Sequence, residues 1–356
     1  MRILITGGTG MVGSHAAAAL QRDGHELRFL ARAPARVTAV TSALGVREPQ
    51  IVPGDVTDEA AVARALDGCD AVLHSAALLT FDRARTPEME RTNVDGTRIV
   101  LDAAIARQLD PIMIVSSVQA LWRPGAGALT PQDPVAEPRD PYSRTKAAAE
   151  TLARSAQERG APVTLLYPGA VWGPDNPTLG DQITTIFAMV RWGYFVSVTG
   201  GIPIIDTRDL AQAVARAMTP GRGPKRYMLA GRYCSHDELR EIISRLRGRQ
   251  LARLPVPVSV LRAAGSVCDV LRNRLGIDTG AVSAEAMCIA TSALRGDSEK
   301  SMAELGLEFR PIEETIAAQM RWMVDAGHLS ARAAGALADP ASAPQTSARA
   351  PSPRNG

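Results

Sequence analysis

Short apolar runs alternate with longer helical patterns over roughly the first half of the chain. The runs predict five strands, at residues 2–5, 26–30, 71–74, 112–115 and 163–166. Between them, apolar residues recur at the spacing of an amphipathic helix. Strands that alternate with helices favour a parallel sheet covered by helices on both faces. The pattern therefore predicts an α/β fold, a Rossmann doubly wound parallel sheet, over residues 1–170.

The alternation loosens after Trp172, where we expect a smaller C-terminal substrate-binding lobe formed by residues 171–201 and 231–330. A strand and helix pattern within 202–230 predicts that the chain first returns to the main sheet. Residues 331–356 are rich in Ala, Ser, Pro and Arg and have almost no large apolar residues. Such a composition cannot offset the entropy cost of ordering, so we expect a disordered tail there.

The charge balance excludes several classes of protein. With 40 basic and 37 acidic residues among 356, the formal net charge of +3 indicates neither a nucleic-acid binder nor a membrane-surface binder. The four cysteines have no paired spacing, so we expect reduced thiols and neither a metal site nor a disulfide framework: Cys69, Cys234, Cys268 and Cys288. No apolar run reaches the roughly 18 residues of a transmembrane helix. Because Met1 leads directly into a strand without a signal-peptide pattern, we expect a cytoplasmic location.

A glycine-rich loop follows the first predicted strand and precedes a predicted helix. Glycines at this spacing let backbone amides approach a pyrophosphate, and the positive end of the helix favours its charge. The position of the loop between a strand and a helix, more than its glycine residues alone, predicts a dinucleotide site. The residues of this site are Gly7, Thr9, Gly10, Met11, Val12 and Gly13.

The residues after the second predicted strand favour one form of the cofactor. A carboxylate there would bind the free ribose 2′-hydroxyl of NAD, but the chain has Arg32 and Arg36 instead. A guanidinium pairs well with a 2′-phosphate, so NADP is favoured over NAD. Asp55 follows another apolar run and is a candidate to bind the adenine amino group, or alternatively to cap the helix predicted over 59–66.

Tyr142 and Lys146 are the candidate proton-transfer pair. They follow Pro141 at the start of an alanine-rich helical pattern, and the i, i+4 spacing places them on one helix face. A nearby ammonium favours the phenolate, so we expect the lysine to lower the pKa of the tyrosine. A positioned acid or base of this kind contributes roughly 10² to 10⁴ in rate.

Polar side chains at the ends of predicted strands extend this candidate site. Ser116 and Ser117 end the strand 112–115, and His74 ends the strand before Ala76 and Ala77. Ligands of open parallel sheets bind beyond the carboxyl ends of the strands. We therefore expect one of the serines to hold the substrate oxygen beside Tyr142.

The chain resembles the extended short-chain dehydrogenases/reductases, in particular the branch of dihydroflavonol reductases, 3β-hydroxysteroid dehydrogenases and nucleotide-sugar epimerases. The resemblance spans about residues 1–325. It rests on eight segments in order: TGGTGMVG (6–13), GDV (54–56), HSAA (74–77), NVDGT (93–97), SS (116–117), YSRTK (142–146), YPGAVWGP (167–174) and DTRD (206–209). These segments are specific for the superfamily but not for a substrate.

The resemblance implies roles for individual residues. It implies that Ser117, Tyr142 and Lys146 are catalytic, with Lys146 bridging the nicotinamide ribose and the tyrosine. It implies cofactor contacts from a further set: Asp55, Val56, Ala76, Ala77, Pro168, Gly169 and Val171. Asn93 would support the sheet and helix around the site. The chain departs from the family pattern at Tyr167, where arginine is common, and at Trp172, where tyrosine is common.

Three functions remain open at this point. The first is an NADP-dependent oxidoreductase of a carbonyl or secondary alcohol on an apolar, ring-bearing or lipid-like molecule. Eight of the 14 aromatic residues lie between Trp122 and Phe195, where they form either a substrate wall or the core of the smaller lobe. The second is a nucleotide-sugar epimerase with tightly bound NAD, and the third is a dinucleotide-sensing protein without catalysis.

The resemblance implies a homodimer paired through helices at 92–107 and 142–159. The pattern of residues 251–275 leaves open whether this segment covers the active site or touches a membrane.

Overall fold

The computed structural model describes residues 1–80, 83–138, 140–275, 277 and 282–338. Its first part alternates strands and helices: β1 Arg2–Thr6, α1 Met11–Arg22, β2 Glu26–Ala31, α2 Pro34–Ala43, β3 Gln50–Pro53, α3 Glu59–Leu66, β4 Ala71–His74, α4 Thr86–Glu90, α5 Gly96–Ala106, β5 Ile112–Val115, β6 Ala128–Leu129, α6 Pro141–Glu158 and β7 Val163–Pro168. A π-helical turn, Arg91–Asp95, joins α4 to α5.

The remaining elements are shorter and more varied: β8 Ala170–Trp172, α7 Asp181–Trp192, β9 Tyr194–Ser197, β10 Gly201–Asp206, α8 Thr207–Ala217, β11 Lys225–Leu229, β12 Arg232–Ser235, α9 His236–Arg247, β13 Ala252–Pro255, α10 Val258–Leu275, α11 Ala284–Ala290, β14 Arg295–Gly296, α12 Glu299–Leu305, α13 Ile312–Asp325 and α14 Ala331–Ala334. Within the described part of the chain, no helix is both long and apolar enough to cross a membrane.

Seven parallel strands form the main sheet, in the order β11-β7-β5-β4-β1-β2-β3. Both of its faces are buried, because alternate side chains of each strand enter different cores. Leu4 and Val72 pack on one side with α3 and α5, whereas Ile3 and Leu73 pack on the other with α1 and α8. The predicted Rossmann fold is therefore confirmed.

The strand order reverses between β1 and β4. From β1 the chain builds outward through β2 and β3, and it then crosses back to place β4 on the other side of β1. The loops that leave β1 and β4 consequently diverge and open a crevice at the carboxyl edge of the sheet, which is where open α/β folds bind their ligands.

The smaller lobe has its own three-stranded sheet, in the order β12-β10-β8. The prediction that 202–230 returns to the main sheet is right for β11 but wrong for β10, which pairs with β8. The reason lies at Gly169, where the chain passes from β7 in the main sheet to β8 in the small one. Once β8 has left the main sheet, β10 follows it as its parallel neighbour.

The chain stays ordered beyond the expected start of the tail. Helix α14 and a 3₁₀ turn, Gly335–Ala338, pack on the smaller lobe and bury Ala333, Ala334 and Leu337. The predicted disordered tail 331–356 is therefore wrong for 331–338, because these small side chains fit a preformed apolar surface. Residues 339–356 lie outside the described residues.

Candidate active site

The loops after β1 and β4 pack backbone against backbone. Gly7 has a φ of +74°, and a Cβ placed there would lie 2.6 Å from the backbone nitrogen of Ala76. A Cβ at Gly13 would collide with the backbone oxygen of Gly7 and the hydroxyl of Ser75. Because both positions are glycine, the first turn of α1 can come this close to the β4 loop. A larger side chain at either position would force them apart.

The N-terminus of α1 is left open to an anion. Gly10 occupies the cap position without a side-chain hydrogen bond, and the first turn contains no acidic residue. The free backbone N–H groups and the helix dipole therefore point into the crevice. Thr9 and Val12 are half-buried beside this opening, and Met11 is buried beneath it. These features fit a dinucleotide pyrophosphate.

His74 links β1 to α5 beneath the crevice. Its Nδ1 lies 2.8 Å from the Thr6 hydroxyl, and its Nε2 lies 3.0 Å from the Thr97 hydroxyl. Thr97 donates its own proton to the backbone oxygen of Asn93, so His74 donates through Nε2 and accepts through Nδ1. Burial, with a smaller contribution from the Lys146 charge, lowers the pKa of His74 to about 3. The imidazole is neutral and structural.

Asn93 ties three elements together around the site. Its amide oxygen accepts from the Leu78 backbone N–H at 2.7 Å, and its amide nitrogen donates to the Leu78 carbonyl at 2.9 Å. The same nitrogen donates to the Thr145 hydroxyl on α6 at 2.9 Å. Asn93 therefore fixes the β4 loop relative to the helix that carries Tyr142 and Lys146.

Tyr142 lies in the first turn of α6, which begins at Pro141. The Asp140 carboxylate caps the helix by accepting from the Ser143 backbone N–H at 2.9 Å. Among the described residues, none forms a hydrogen bond with the Tyr142 hydroxyl. Burial and the Asp140 charge raise the pKa of Tyr142 to about 12. The expectation that the lysine lowers this pKa is therefore not met, because desolvation dominates.

Lys146 lies one turn further along α6 and is 9% exposed. Its ammonium donates to the Val115 carbonyl at the end of β5, at 3.1 Å. Burial lowers the pKa of Lys146 to about 8, although the Glu150 carboxylate acts in the opposite direction. Two of the three ammonium protons remain for groups in the cleft, which is also lined by Ala76 and Ala77.

A buried polar cluster, Ser116, Glu150, Arg154 and Tyr167, lies directly beneath Lys146. The Glu150 carboxylate accepts from the Ser116 hydroxyl at 2.7 Å, from the Tyr167 hydroxyl at 2.5 Å and from the Arg154 guanidinium at 2.7 Å. Arg154 also donates to the Asp133 carbonyl. Burial, then the Glu150 charge, raises the pKa of Tyr167, which therefore stays a neutral donor. Tyr167 belongs to this cluster and not to the cleft.

The two candidate serines have different surroundings. Ser116 is buried and its hydroxyl is committed to Glu150. Ser117 is half-buried at the start of a 3₁₀ turn. Within the described part of the chain, its side chain forms one hydrogen bond, in which its oxygen accepts from the Gln119 backbone N–H at 3.2 Å. The Ser117 hydroxyl proton is therefore available for another acceptor.

The far end of the crevice is exposed and charged. Arg32 follows β2, is 68% exposed, and lies 3.7 Å from carboxylate oxygens of both Asp55 and Glu88. Arg85 holds Glu88 more closely, at 2.9 Å. Arg36 lies exposed on α2 and forms no side-chain contact with the other described residues of this end. The structure thus brings Arg32 and Asp55 together and leaves Arg36 apart.

Asp55 is not a helix cap. The carboxylate of Asp58 accepts from the backbone N–H groups of Ala60 and Ala61 and so begins α3. Asp55 instead accepts from the backbone and hydroxyl of Thr57, both at 3.0 Å. The alternative of a capping role for Asp55 is therefore wrong, and its second carboxylate oxygen faces Arg32. The neighbouring Val56 is buried against α5.

The segment expected along the nicotinamide links the two sheets. Pro168 ends β7, and Val171 lies half-buried in β8. Gly169, between them, donates to the Leu229 carbonyl, and a Cβ there would collide with the Ala230 carbonyl. This bend carries the chain across the carboxyl edge of the main sheet.

The aromatic residues of the smaller lobe form its core. Trp172, Phe187 and Phe195 are at most 1% exposed and pack together with α9 and α13. Of the two alternatives that the sequence left open, the core of the smaller lobe is therefore right for these three residues, because their rings are covered by the lobe itself. Trp192 faces outward, on the opposite side of its helix.

Some residues of the site were missed from the sequence. Glu150 had a readable signal, since it continues the i, i+4 series of Tyr142 and Lys146 along one face of α6. Thr97 lies in the segment NVDGT (93–97), but its contact with His74 could not be read from that segment. Glu88 had no signal, because α4 brings it to the crevice only after the sheet has assembled.

Comparisons with known proteins agree with this geometry. Residues 3–230 match the family described as the NAD dependent epimerase/dehydratase family. "Sterol demethylase protein B" of Methylococcus capsulatus is 28% identical over 332 residues, covering 92% of this chain and 99% of that protein. A Stigmatella aurantiaca protein, "4-hydroxy-2-methyl-3-oxo-4-farnesyl-3,4-dihydroquinoline-1-oxide ketoreductase", is 31% identical over 284 residues, covering 76% of this chain and 80% of that protein.

A solved structure of similar fold is the UDP-glucose 4-epimerase from Bifidobacterium longum in complex with NAD+ and UDP. It superposes with a TM-score of 0.71 at 20% identity, over 92% of this chain and 99% of that one. At this identity the likeness concerns the fold alone.

Proposed function

The chain belongs to the NAD-dependent epimerase/dehydratase family, and from that premise we propose that it is an NADP-dependent oxidoreductase of a carbonyl or secondary alcohol on a fairly apolar small molecule. The observation that carries the proposal is the Tyr142 hydroxyl, which is protonated, has no hydrogen-bond partner among the described residues, and lies one helical turn from Lys146. A carbonyl that receives a hydride also needs a proton donor at its oxygen.

In this proposal the chain's own residues handle the proton. Tyr142 donates it to the substrate oxygen, and its raised pKa keeps the proton available at neutral pH. The Ser117 hydroxyl donates a second hydrogen bond to the same oxygen and so holds it in place. The positive charge of Lys146 stabilises the phenolate that Tyr142 becomes after the transfer.

The cofactor contacts are also part of the proposal. The α1 N-terminus with Gly7, Gly10 and Gly13 would hold the pyrophosphate, and Asp55 the adenine. Lys146 would donate to the nicotinamide ribose, while Ala76, Ala77 and the bend from Pro168 to Val171 would border the nicotinamide. The nicotinamide supplies or accepts the hydride when bound.

The preference for NADP rests on the exposed end of the crevice. Arg32 follows β2, the position from which dinucleotide folds contact the adenosine ribose, and β2 is not followed by a carboxylate. At 3.7 Å its ion pairs with Asp55 and Glu88 are loose, so the guanidinium can turn to a phosphate without losing a tight partner.

An apolar substrate is supported by the names of two relatives, a sterol demethylase protein and a ketoreductase of a farnesylated quinoline.

We further propose that the enzyme is cytoplasmic and forms a homodimer through α5 and α6.

The proposal is tested by calorimetric titration of cofactor-stripped protein with NADPH and with NADH, followed by a panel of carbonyl substrates monitored by NADPH oxidation. Tighter binding of exchangeable NADPH and turnover of an apolar ketone or aldehyde are expected. Tightly retained NAD with no net consumption would instead identify an epimerase. Binding of NADPH without oxidation across the panel would identify a dinucleotide sensor.

A further inference from the structure

Helix α10 and strand β13 turn large apolar side chains away from the protein. Five of these side chains are between 46% and 65% exposed: Leu254, Val260, Val267, Val270 and Leu275. We call these five residues the α10 face. On the helix, Val260, Val267 and Val270 fall on one stripe with Ala263 and Ala264, which are also exposed. Apolar exposure is therefore concentrated on one side of this helix.

The opposite side of α10 carries polar groups that face the protein. The Asp269 carboxylate accepts from the Ala284 backbone N–H at 2.9 Å, and the Arg262 guanidinium donates to the Thr291 hydroxyl at 3.2 Å. Gly265 packs against Ala284. A helix on the surface of a globular protein normally buries its apolar stripe, so α10 has the reverse arrangement.

The same stretch of chain is strongly basic. Residues 247–275 contain six arginines and a single acidic residue, Asp269. Arg253 is paired with Asp237, at 2.7 Å. The excess of five positive charges in this segment is larger than the formal net charge of +3 of the whole chain. Arg247 is buried, and Arg262 donates to Thr291. Among the described side chains of this segment, Arg249, Arg253 and Arg274 also lie exposed. An apolar stripe near exposed arginines complements the surface of an anionic bilayer, in which charged headgroups cover an apolar interior.

We propose that the α10 face docks on the surface of an anionic lipid bilayer. The aliphatic side chains would enter the boundary between headgroups and acyl chains, and exposed arginines such as Arg249 and Arg274 would pair with the phosphates. Trp192 suits this arrangement, because it is 81% exposed and is separated by one residue from β9, the strand that pairs with β13. Indole rings favour the interface of membrane and water. The docking requires neither cofactor nor turnover and so stands independently of the proposed function.

Two other occupants fit this surface poorly. A second copy of the chain on a two-fold axis would bring the same arginines against each other, and like charges oppose such pairing. The C-terminal residues 339–356 contain no Leu, Ile, Val, Met or aromatic residue. They therefore cannot cover an apolar stripe of this length.

The test is flotation of the full chain with phosphatidylcholine vesicles, with and without phosphatidylglycerol. Binding is expected to the phosphatidylglycerol vesicles and to decrease with added salt. The double variant Val260→Ser/Val267→Ser removes apolar groups that are more than half exposed, so we expect it to stay folded by circular dichroism. Its partition coefficient onto the phosphatidylglycerol vesicles should be about tenfold lower than that of the parent chain. The variant Val260→Leu/Val267→Leu keeps the apolar stripe and should bind at least as well as the parent chain.

Three results would overturn the proposal. The parent chain could fail to float with phosphatidylglycerol vesicles even at low salt. The serine and leucine variants could bind equally. Sedimentation could show a dimer that the serine variant loses while vesicles bind neither protein, in which case the α10 face is an interface between two copies of the chain.

Discussion

The two ends of the crevice use charge in opposite ways. Around Lys146, every polar atom of the buried cluster has a partner within 3.5 Å, and desolvation changes the pKa of Tyr142, Lys146 and Tyr167. Around Arg32, the charged groups are partly exposed and 3.7 Å apart. Buried groups are screened little by salt, whereas exposed groups are screened within a Debye length of about 10 Å. We therefore expect the buried end to set the pKa values of the proton-transfer groups, and the exposed end to select between NADPH and NADH.

Replacing Tyr142 by Phe should give the largest effect at the buried end. The ring stays in place while the proton is lost, so turnover should fall by roughly 10² to 10⁴. Calorimetry should give an almost unchanged affinity for NADPH. Tyr194→Phe is the matched control, because Tyr194 lies on β9 in the smaller lobe. Equal turnover of the Tyr142 variant and the control would remove Tyr142 from its assigned role.

Replacing Glu150 by Gln tests whether the buried cluster sets the charge of Lys146. The Glu150 carboxylate raises the pKa of Lys146, so its removal should lower that pKa further below about 8. The rate of carbonyl reduction should then begin to fall at a lower pH than in the parent enzyme. If the pKa of Lys146 falls by one unit, the rate of the variant at pH values above both pKa values should be about tenfold lower than that of the parent enzyme.

Tyr167→Phe is the control for this experiment, since it removes a hydrogen bond from Glu150 but keeps the carboxylate. Its pH profile should remain close to that of the parent enzyme. If both variants lose activity by the same factor at every pH, Glu150 acts only through folding and does not tune Lys146.

At the exposed end, Arg32→Ala should weaken NADPH by about fivefold and leave NADH nearly unchanged, because only NADPH carries the 2′-phosphate. The difference should shrink in high salt. Arg36→Ala, on the neighbouring helix, is the control and should change neither affinity. An equal loss of NADPH and NADH affinity in the Arg32 variant would contradict the phosphate contact.

The smallest effect is expected from Glu88→Gln, which removes a carboxylate that competes for Arg32. NADPH affinity should rise by about twofold, since the pair is loose and partly exposed. A titration of the variant against the parent protein at low salt measures the change. Weaker NADPH binding would mean that Glu88 positions Arg32 instead of competing for it.

The sequence by itself determined those features that depend on local spacing. The glycines at 7, 10 and 13, the i, i+4 pair Tyr142 and Lys146, and apolar runs such as Ile112–Val115 predict loop, helix face and strand, because backbone geometry relates neighbours along the chain directly. The Rossmann sheet follows from the alternation of these elements.

The tertiary structure decided everything that depends on which elements meet. Only the assembled sheet places Glu88 beside Arg32 and Thr97 beside His74, and burial in the assembled fold, with the Asp140 charge, raises the pKa of Tyr142 to about 12. Whether an aromatic residue faces substrate or core was also decided there, since Trp172 and Trp192 come from the same segment and have opposite exposure. Desolvation and long-range packing act between residues far apart in the chain, and no local pattern encodes them.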